Sequence, residues 1–311
     1  MWTLDEAIAR PWNKEFPRAV QIETVSLCNA KCTFCPYPTT SKIFPAAAMT
    51  DVLFDNILSE VATQQPLLIA PYLNNEPLLD QKIFRRMQAL RMAVPQGFID
   101  LSTNASRLNE KNAEQLLSPD INVNEIKLNF PSINKVEYEQ LMGLNYEESL
   151  KNVREFIKLA ERVRFKGRYR IIIVSSYTPN QDIDFWNAEG IEAKVYNKLS
   201  RGGAVTTAHE PKEKISGCKY NRETEWMHVL HNGLVVLCCM DWYRSAVLGD
   251  ANKDSLKTIW QNPLYADVRR RVQTSSDKSF ICNKCEWSQP VTVTDPGSKT
   301  ITYSESFPGV K

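Results

Sequence analysis

The residues of this chain best suited to chemistry are its eight cysteines, which form two groups far apart in the sequence. The first group is Cys28, Cys32 and Cys35, and the second is Cys218, Cys238, Cys239, Cys282 and Cys285. The start of the chain lacks the basic segment and apolar core of a secretory signal, so we expect a cytoplasmic protein. In that reducing compartment, thiols bind metals or take part in catalysis rather than form disulfides. The two groups therefore predict two metal sites.

The first group has the spacing C-x3-C-x2-C. Thiolates are the ligands that iron–sulfur clusters require, and a loop with this spacing can bind three irons of a 4Fe–4S cluster. The remaining iron is then open to another ligand, as one position of a catalytic zinc site is. The alternative is a zinc knuckle, although zinc motifs normally add a second cysteine pair nearby.

Four members of the second group have the spacing C-x19-C-x43-C-x2-C, namely Cys218, Cys238, Cys282 and Cys285. Four thiolates fill every iron position of a second 4Fe–4S cluster. Such a closed cluster suits electron transfer, because binding a substrate would require it to lose a ligand. A structural zinc site and a purely structural iron–sulfur cluster are the alternatives. Cys239 is left over, either as a small buried residue or as a hydrogen-atom donor.

The elements that must position these cysteines alternate between short apolar strands and amphipathic helices. We predict strands at 20–25, 67–73, 98–102, 126–130, 169–175 and 192–196, and helices at 51–62, 83–90, 110–117, 136–142, 146–160 and 182–188. Strand–helix alternation predicts parallel βα units with right-handed crossovers. Six units are too few for a closed eight-unit barrel, so we expect an α/β fold with a partial (β/α)6 TIM-like barrel. Its binding residues should lie at the carboxyl ends of the strands.

The pattern changes after residue 203. Apolar runs at 225–230 and 234–238 flank His231-Asn232-Gly233, which predicts a β-hairpin. A helix over 256–272 follows, and a Ser/Thr/Pro-rich stretch from 288 predicts a loosely ordered end. We therefore expect an N-terminal extension over 1–18, the barrel core over 19–205, a small cysteine-rich domain (hairpin plus helix) over 206–290 and a C-terminal tail over 291–311.

The charge balance and the hydropathy of the sequence limit the classes of partner that we expect. Lys and Arg number 38, Asp and Glu number 36, and the formal net charge is +2. A nucleic-acid-binding protein needs a concentrated basic face, which this balance does not favour. No apolar run approaches the roughly 18 residues of a membrane span. We expect neither a nucleic acid nor a membrane as a partner.

The cysteine loop directly after the first predicted strand, with the aromatic Phe34 before its third cysteine, resembles the signature of the radical S-adenosylmethionine (SAM) superfamily. The resemblance implies that Cys28, Cys32 and Cys35 bind a 4Fe–4S cluster whose open iron chelates SAM. It further implies that reduction cleaves SAM to a 5′-deoxyadenosyl radical. An electron donor such as flavodoxin or ferredoxin is then an expected partner.

Shorter matches follow the next strands. Asn74-Asn75-Glu76-Pro77 resembles the Gly-Gly-Glu-Pro segment of the superfamily, with asparagines that tolerate positive φ in place of the glycines. Ser102-Thr103-Asn104 resembles its Thr-Asn-Gly turn, and Asn129 stands where a SAM-contacting serine is common. The cofactor-binding residues implied by the resemblance are Phe34, Asn74, Asn75, Glu76, Pro77, Ser102, Thr103, Asn104 and Asn129.

The second cysteine group resembles the SPASM/twitch accessory domains that follow many radical SAM cores. The resemblance is carried by Gly233-Leu-Val-Val-Leu-Cys238 and by Leu248-Gly249-Asp250 with the segment that ends at Trp260. The cysteines end at Cys285, so the chain is similar to the shorter twitch type, including enzymes of the 2-deoxy-scyllo-inosamine dehydrogenase type. This implies a single auxiliary 4Fe–4S cluster on the four cysteines.

The resemblance leaves the fate of the substrate radical open, for a small-molecule or peptide substrate. We favour two-electron oxidation with the auxiliary cluster as electron acceptor; radical epimerisation and peptide crosslinking are the alternatives. Because 27 residues precede Cys28, we expect no leader-peptide-binding domain. The candidate catalytic residues are Cys239 as hydrogen-atom donor, and Asp241 and Arg201 for substrate contact or proton removal, with Asp241 as the expected proton acceptor. A surface salt bridge is the alternative for Asp241 and for Arg201. If the hairpin strand continues past Cys238, Cys239 and Asp241 share a face.

Overall fold

The computed structural model describes residue 6 and residues 9–291. The strands are β1 (Ala19–Ile22), β2 (Leu68–Ala70), β3 (Phe98–Thr103), β4 (Glu125–Asn129), β5 (Arg168–Val174), β6 (Ala193–Tyr196), β7 (Ile215–Cys218), β8 (Trp226–Val229), β9 (Leu234–Val236), β10 (Val247–Asp250) and β11 (Ser288–Pro290). The helices are α1 (Tyr37–Thr40), α2 (Asp51–Gln64), α3 (Ile83–Ala93), α4 (Glu110–Leu116), α5 (Lys135–Met142), α6 (Tyr146–Arg162), α7 (Pro179–Ala188), α8 (Arg222–Glu225), α9 (Leu256–Gln261) and α10 (Pro263–Thr274), with 3-10 turns at Pro77–Leu79 and Ile281–Lys284.

A nine-stranded sheet has the order β10-β9-β8-β1-β2-β3-β4-β5-β6. Strands β1 to β6 are parallel and adjacent in chain order, with helices between them. The predicted α/β fold with a partial (β/α)6 TIM-like barrel is confirmed. Alternate residues of each strand face the helices and form the main core, such as Ile99 and Leu101 of β3.

The segment from β7 to β11, which we call the accessory segment, adds β8, β9 and β10 to this sheet next to β1. Strand β8 pairs in parallel with β1, with Ile22 opposite Val229, and the predicted hairpin forms where β8 and β9 pair antiparallel. Strands β7 and β11 form a separate two-stranded sheet. The domain boundaries expected from the sequence stay a prediction.

Two sequence-based expectations in this segment are wrong. The single helix over 256–272 is two helices, because Asn262 ends α9 with an extended backbone and caps α10, which begins at Pro263. The loose end expected from 288 is wrong for Ser288–Pro290, since these residues pair with β7. The rest of the expected tail, 292–311, lies outside the described residues, as does most of the extension before residue 9.

Within the described range, no helix combines the length and the apolar character that a membrane span requires.

Candidate active site

A cavity of about 320 Å³ opens at the carboxyl ends of the barrel strands. One wall carries Cys28, Cys32 and Cys35, which all line this active-site cavity. Cys239 and Arg201, from beyond the barrel strands, line the same cavity. The fold therefore brings residues from both ends of the sequence to one opening.

The first cysteine loop is fixed by backbone hydrogen bonds to the end of α5. The N–H of Lys31 donates to the carbonyl of Met142 at 2.8 Å, and that of Thr33 donates to Leu141 at 2.9 Å. Burial raises the pKa of the Cys28 thiol to about 12 and also raises those of Cys32 and Cys35. Three partly buried thiols with raised pKa values on one loop become thiolates only when cations compensate their charge, so this donor set fits an iron–sulfur cluster.

In the described part of the chain, no three His, Cys, Asp or Glu side chains are arranged to hold a single metal ion. A cubane cluster does not need such convergence, because each thiolate binds a different iron.

Glu76 joins the loops that follow β2 and β3. Its carboxylate accepts hydrogen bonds from the hydroxyl of Thr103 at 2.6 Å, the N–H of Asn104 at 2.7 Å and the N–H of Leu78 at 3.1 Å. Burial raises the pKa of Glu76 to about 7, against the lowering effect of these three donors. Glu76 thus shapes the cavity wall with a carboxylate that is already fully hydrogen-bonded.

The predicted cofactor-binding residues divide into two sets. Those lining the cavity are Phe34, Asn74, Asn75, Glu76, Ser102, Asn104 and Asn129. Pro77 and Thr103 do not line it: Pro77 begins the 3-10 turn, and Thr103 is buried behind Glu76. Their positions indicate support of the wall rather than contact with a cofactor.

The expectation that Asn74 and Asn75 take the positive φ of the glycines that they replace is wrong. Neither Asn74 nor Asn75 has a positive φ, whereas Ala105, which stands where the superfamily has the last glycine of its turn, has φ +60°. The left-handed residue of this site is therefore an alanine.

The sequence analysis missed a polar group inside the barrel. Tyr72, Asp100 and Lys127 line the cavity from β2, β3 and β4 or just beyond them. The Tyr72 hydroxyl donates to Oδ2 of Asp100 at 3.2 Å, and Lys127 forms an ion pair with the same oxygen. Burial opposes the charge of Lys127, but Asp100 more than offsets this and raises the pKa of Lys127, which stays a cation. The sequence did contain a signal for this group, because Asp100 and Lys127 are charged residues within predicted strands.

The second cysteine group surrounds its own, smaller cavity. Cys218, Cys238, Cys282 and Cys285 all line it, together with apolar side chains such as Leu237. Burial raises the pKa of all four thiols, that of Cys285 to about 12. Four buried or partly buried thiols around one cavity fit a fully ligated cluster. We call this space the four-cysteine cavity.

The three predicted catalytic residues are not brought together. Cys239 and Arg201 line the active-site cavity, but Asp241 does not. Strand β9 ends at Val236, so the expected shared face of Cys239 and Asp241 is wrong. The buried Asp241 carboxylate instead accepts hydrogen bonds from the N–H and hydroxyl of Ser245, at 2.7 and 2.8 Å, and from the N–H of Ala246 at 2.8 Å. These bonds hold the turn that follows Cys239 and leave the carboxylate no path to a substrate.

Residues 218–286 match the SPASM family model, described as an iron–sulfur cluster-binding domain. No curated protein matches the chain by sequence. Among solved structures, BtrN in complex with AdoMet and 2-DOIA is 15% identical with a TM-score of 0.58, covering 87% of this chain and 93% of BtrN. SuiB of Streptococcus suis bound to precursor peptide SuiA is 16% identical with a TM-score of 0.66, covering 85% and 71%. Native anSMEcpe with bound AdoMet is 15% identical with a TM-score of 0.62, covering 86% of each chain.

These neighbours are radical SAM enzymes with SPASM or twitch domains. The resemblance inferred from the sequence is confirmed. The chain shares the fold of these solved structures, and residues 218–286 match the SPASM model of an iron–sulfur cluster-binding domain.

Proposed function

We propose that this protein is a radical SAM enzyme that oxidises its substrate by two electrons and passes the second electron to the auxiliary cluster. One observation carries the proposal. The three-cysteine loop and Cys239, the neighbour of Cys238 in the four-cysteine cavity, line the same active-site cavity. A substrate in that cavity would lie between the two clusters.

Cys28, Cys32 and Cys35 would hold the first cluster, and the asparagines and Ser102 of the cavity wall would contact SAM. When bound, the cluster and SAM would supply a 5′-deoxyadenosyl radical, the reagent for removing a hydrogen atom from the substrate. The protein's own contribution is to hold the substrate at this radical and to keep water away from it. The fully hydrogen-bonded Glu76 fixes the wall against which SAM would lie.

Oxidation also needs a proton acceptor, and Asp100 replaces Asp241 in this role. The carboxylates that line the cavity are Glu76 and Asp100, and the Glu76 oxygens are already engaged. Oδ2 of Asp100 is bound to Tyr72 and Lys127, whereas its Oδ1 has no hydrogen-bond partner among the described residues. We infer that the buried carboxylate of Asp100 accepts the proton of a substrate hydroxyl or amine when the substrate fills the cavity.

The test uses anaerobically reconstituted protein with a reductant and candidate substrates. Oxidation predicts a product two mass units lighter, with one SAM consumed per turnover. Asp100→Asn should lose at least about 100-fold in turnover, the usual scale for a positioned base, while Cys239→Ala keeps substantial turnover. The proton-acceptor assignment fails if Asp100→Asn turns over normally.

Epimerisation is the second candidate, because Cys239 lines the cavity and could return a hydrogen atom to a substrate radical. It predicts a product of unchanged mass that gains one solvent deuterium, and loss of product in Cys239→Ala. A peptide substrate remains open, since solved structures of SuiB and anSMEcpe hold peptides. Flavodoxin or ferredoxin would be the electron donor.

A further inference from the structure

Arg222 is the side chain that lines both the active-site cavity and the four-cysteine cavity. It begins α8, four positions after Cys218, and its backbone N–H donates to the Cys218 thiol. The side chain therefore forms part of the wall between the two cavities. Among the residues that the structure describes, Arg222 alone lines both cavities.

The guanidinium of Arg222 stacks on tryptophan rings and has no carboxylate partner among the described residues. Its carbon lies 3.9 Å from the ring centroid of Trp226, which also lines the active-site cavity, and 5.7 Å from that of Trp287. Within the described residues it makes no ion pair, and its buried Nε has no hydrogen-bond partner. An arginine placed in this way offers its remaining N–H groups to an anionic ligand.

The adjacent Glu223 does not compensate this charge. It lines only the four-cysteine cavity, where its Oε1 accepts a hydrogen bond from Gln273 at 3.0 Å. The cation of Arg222 thus acts on both cavities.

Charge near an iron–sulfur cluster sets its reduction potential, and a nearby cation favours the more negative, reduced state. An anion bound to that cation would weaken the effect. By linkage, reduction of the cluster would weaken the binding of the anion equally.

We propose that Arg222 binds an anionic oxygen group of the substrate, a carboxylate or a phosphate, and so couples substrate binding to reduction of the auxiliary cluster. The inference rests on the proposed function, because it requires a cluster in the four-cysteine cavity. It adds that the substrate is an anion and that its acidic group lies beside that cluster.

The experiment is a redox titration of the two-cluster holoenzyme, followed by electron paramagnetic resonance. The signal that SAM does not perturb belongs to the auxiliary cluster. Arg222→Gln should lower the equilibrium constant for its reduction by about tenfold, equivalent to about 59 mV, whereas Arg222→Lys keeps the charge and most of the potential. Arg270→Gln is the matched control, because Arg270 is an exposed arginine of the same segment, paired with Asp267. It should titrate like the wild type.

Inorganic phosphate and acetate, added at constant ionic strength against chloride, probe the ligand. Either anion should lower the reduction potential of the auxiliary cluster in the wild type but not in Arg222→Gln. The anion with the larger effect identifies the acidic group of the substrate as a phosphate or a carboxylate. Equal anion effects in both proteins, or an unchanged potential in Arg222→Gln, would overturn the inference. If Arg222→Gln fails to bind the auxiliary cluster, the anions should lower the potential of the wild type more than that of Arg222→Lys, because lysine lacks the fork of N–H donors, and equal responses would overturn the inference. A wild type that binds one cluster or leaves SAM intact would instead refute the proposed function.

Discussion

Glu76 should make the stability of this protein depend on pH in a direction opposite to that of most carboxylates. Its pKa is raised from the ordinary 4.5 to about 7 by burial. Each tenfold change in proton affinity is worth 1.36 kcal/mol, so ionised Glu76 costs the folded state on the order of 3 kcal/mol. Because the folded pKa lies above the unfolded one, the neutral form favours folding at low pH. That advantage is lost as the pH rises from about 4.5 to about 7.

Glu76→Gln removes the charge and keeps one acceptor oxygen. The free energy of unfolding of the wild type, relative to this variant, should fall by up to about 3 kcal/mol between pH 5 and pH 8.5. Urea unfolding followed by tryptophan fluorescence, on equally iron-loaded samples, measures it. Glu147→Gln is the control, since Glu147 is exposed in a surface ion pair with Lys135. A difference between wild type and Glu76→Gln that stays constant with pH would refute the burial argument.

Three further predictions concern the two cysteine sites and the contact between Glu23 and His231. Reconstituted wild type should bind about eight irons, and replacing the three loop cysteines by alanine should leave about half and abolish 5′-deoxyadenosine formation; SAM cleavage by that variant would contradict the assignment. Cys282→Ala should lower the thermal midpoint of iron-loaded protein, because cluster binding contributes to folding, and should leave the midpoint of iron-free protein nearly unchanged. His231→Ala removes the imidazole that contacts the buried Glu23 carboxylate at 2.7 Å and leaves it the backbone N–H of residue 231, at a cost of about 1–3 kcal/mol in urea unfolding; a cost near zero would show that the ring contact contributes nothing.

The barrel strands and the first cysteine loop could be predicted because they rest on local signals. Apolar strands buried on both faces are short and regularly spaced between amphipathic helices, and the structure places each strand within a few residues of its predicted range. The side chain of Thr50 accepts the N–H of Leu53 and so caps the start of α2, which is a local interaction of the same kind. Cysteine spacing within one loop is also a local property.

What could not be predicted depends on where the chain turns. Asp241 was expected on a strand, but the strand ends at Val236 and the Asp241 carboxylate is used to close a turn. The pairing of Asp100 with Lys127 joins two different strands, so it depends on their register. The position of Arg222 between the cavities likewise follows from packing that no sequence pattern encodes.

The sheet itself explains how two cysteine groups far apart in sequence come to border one cavity. Strand β1 leads into the three-cysteine loop, and its parallel neighbour β8 leads through the hairpin to Cys238. The N–H of Glu23 donates to the carbonyl of Val229 at 2.8 Å, which continues the pairing beyond β1, and the Glu23 carboxylate then binds both the N–H and the ring of His231 at the hairpin turn. Main-chain pairing therefore fixes the hairpin relative to the loop. A change that shifted β8 by one residue would turn Trp226 and His228 to the opposite face of the sheet and remove the wall that Arg222 shares between the two cavities.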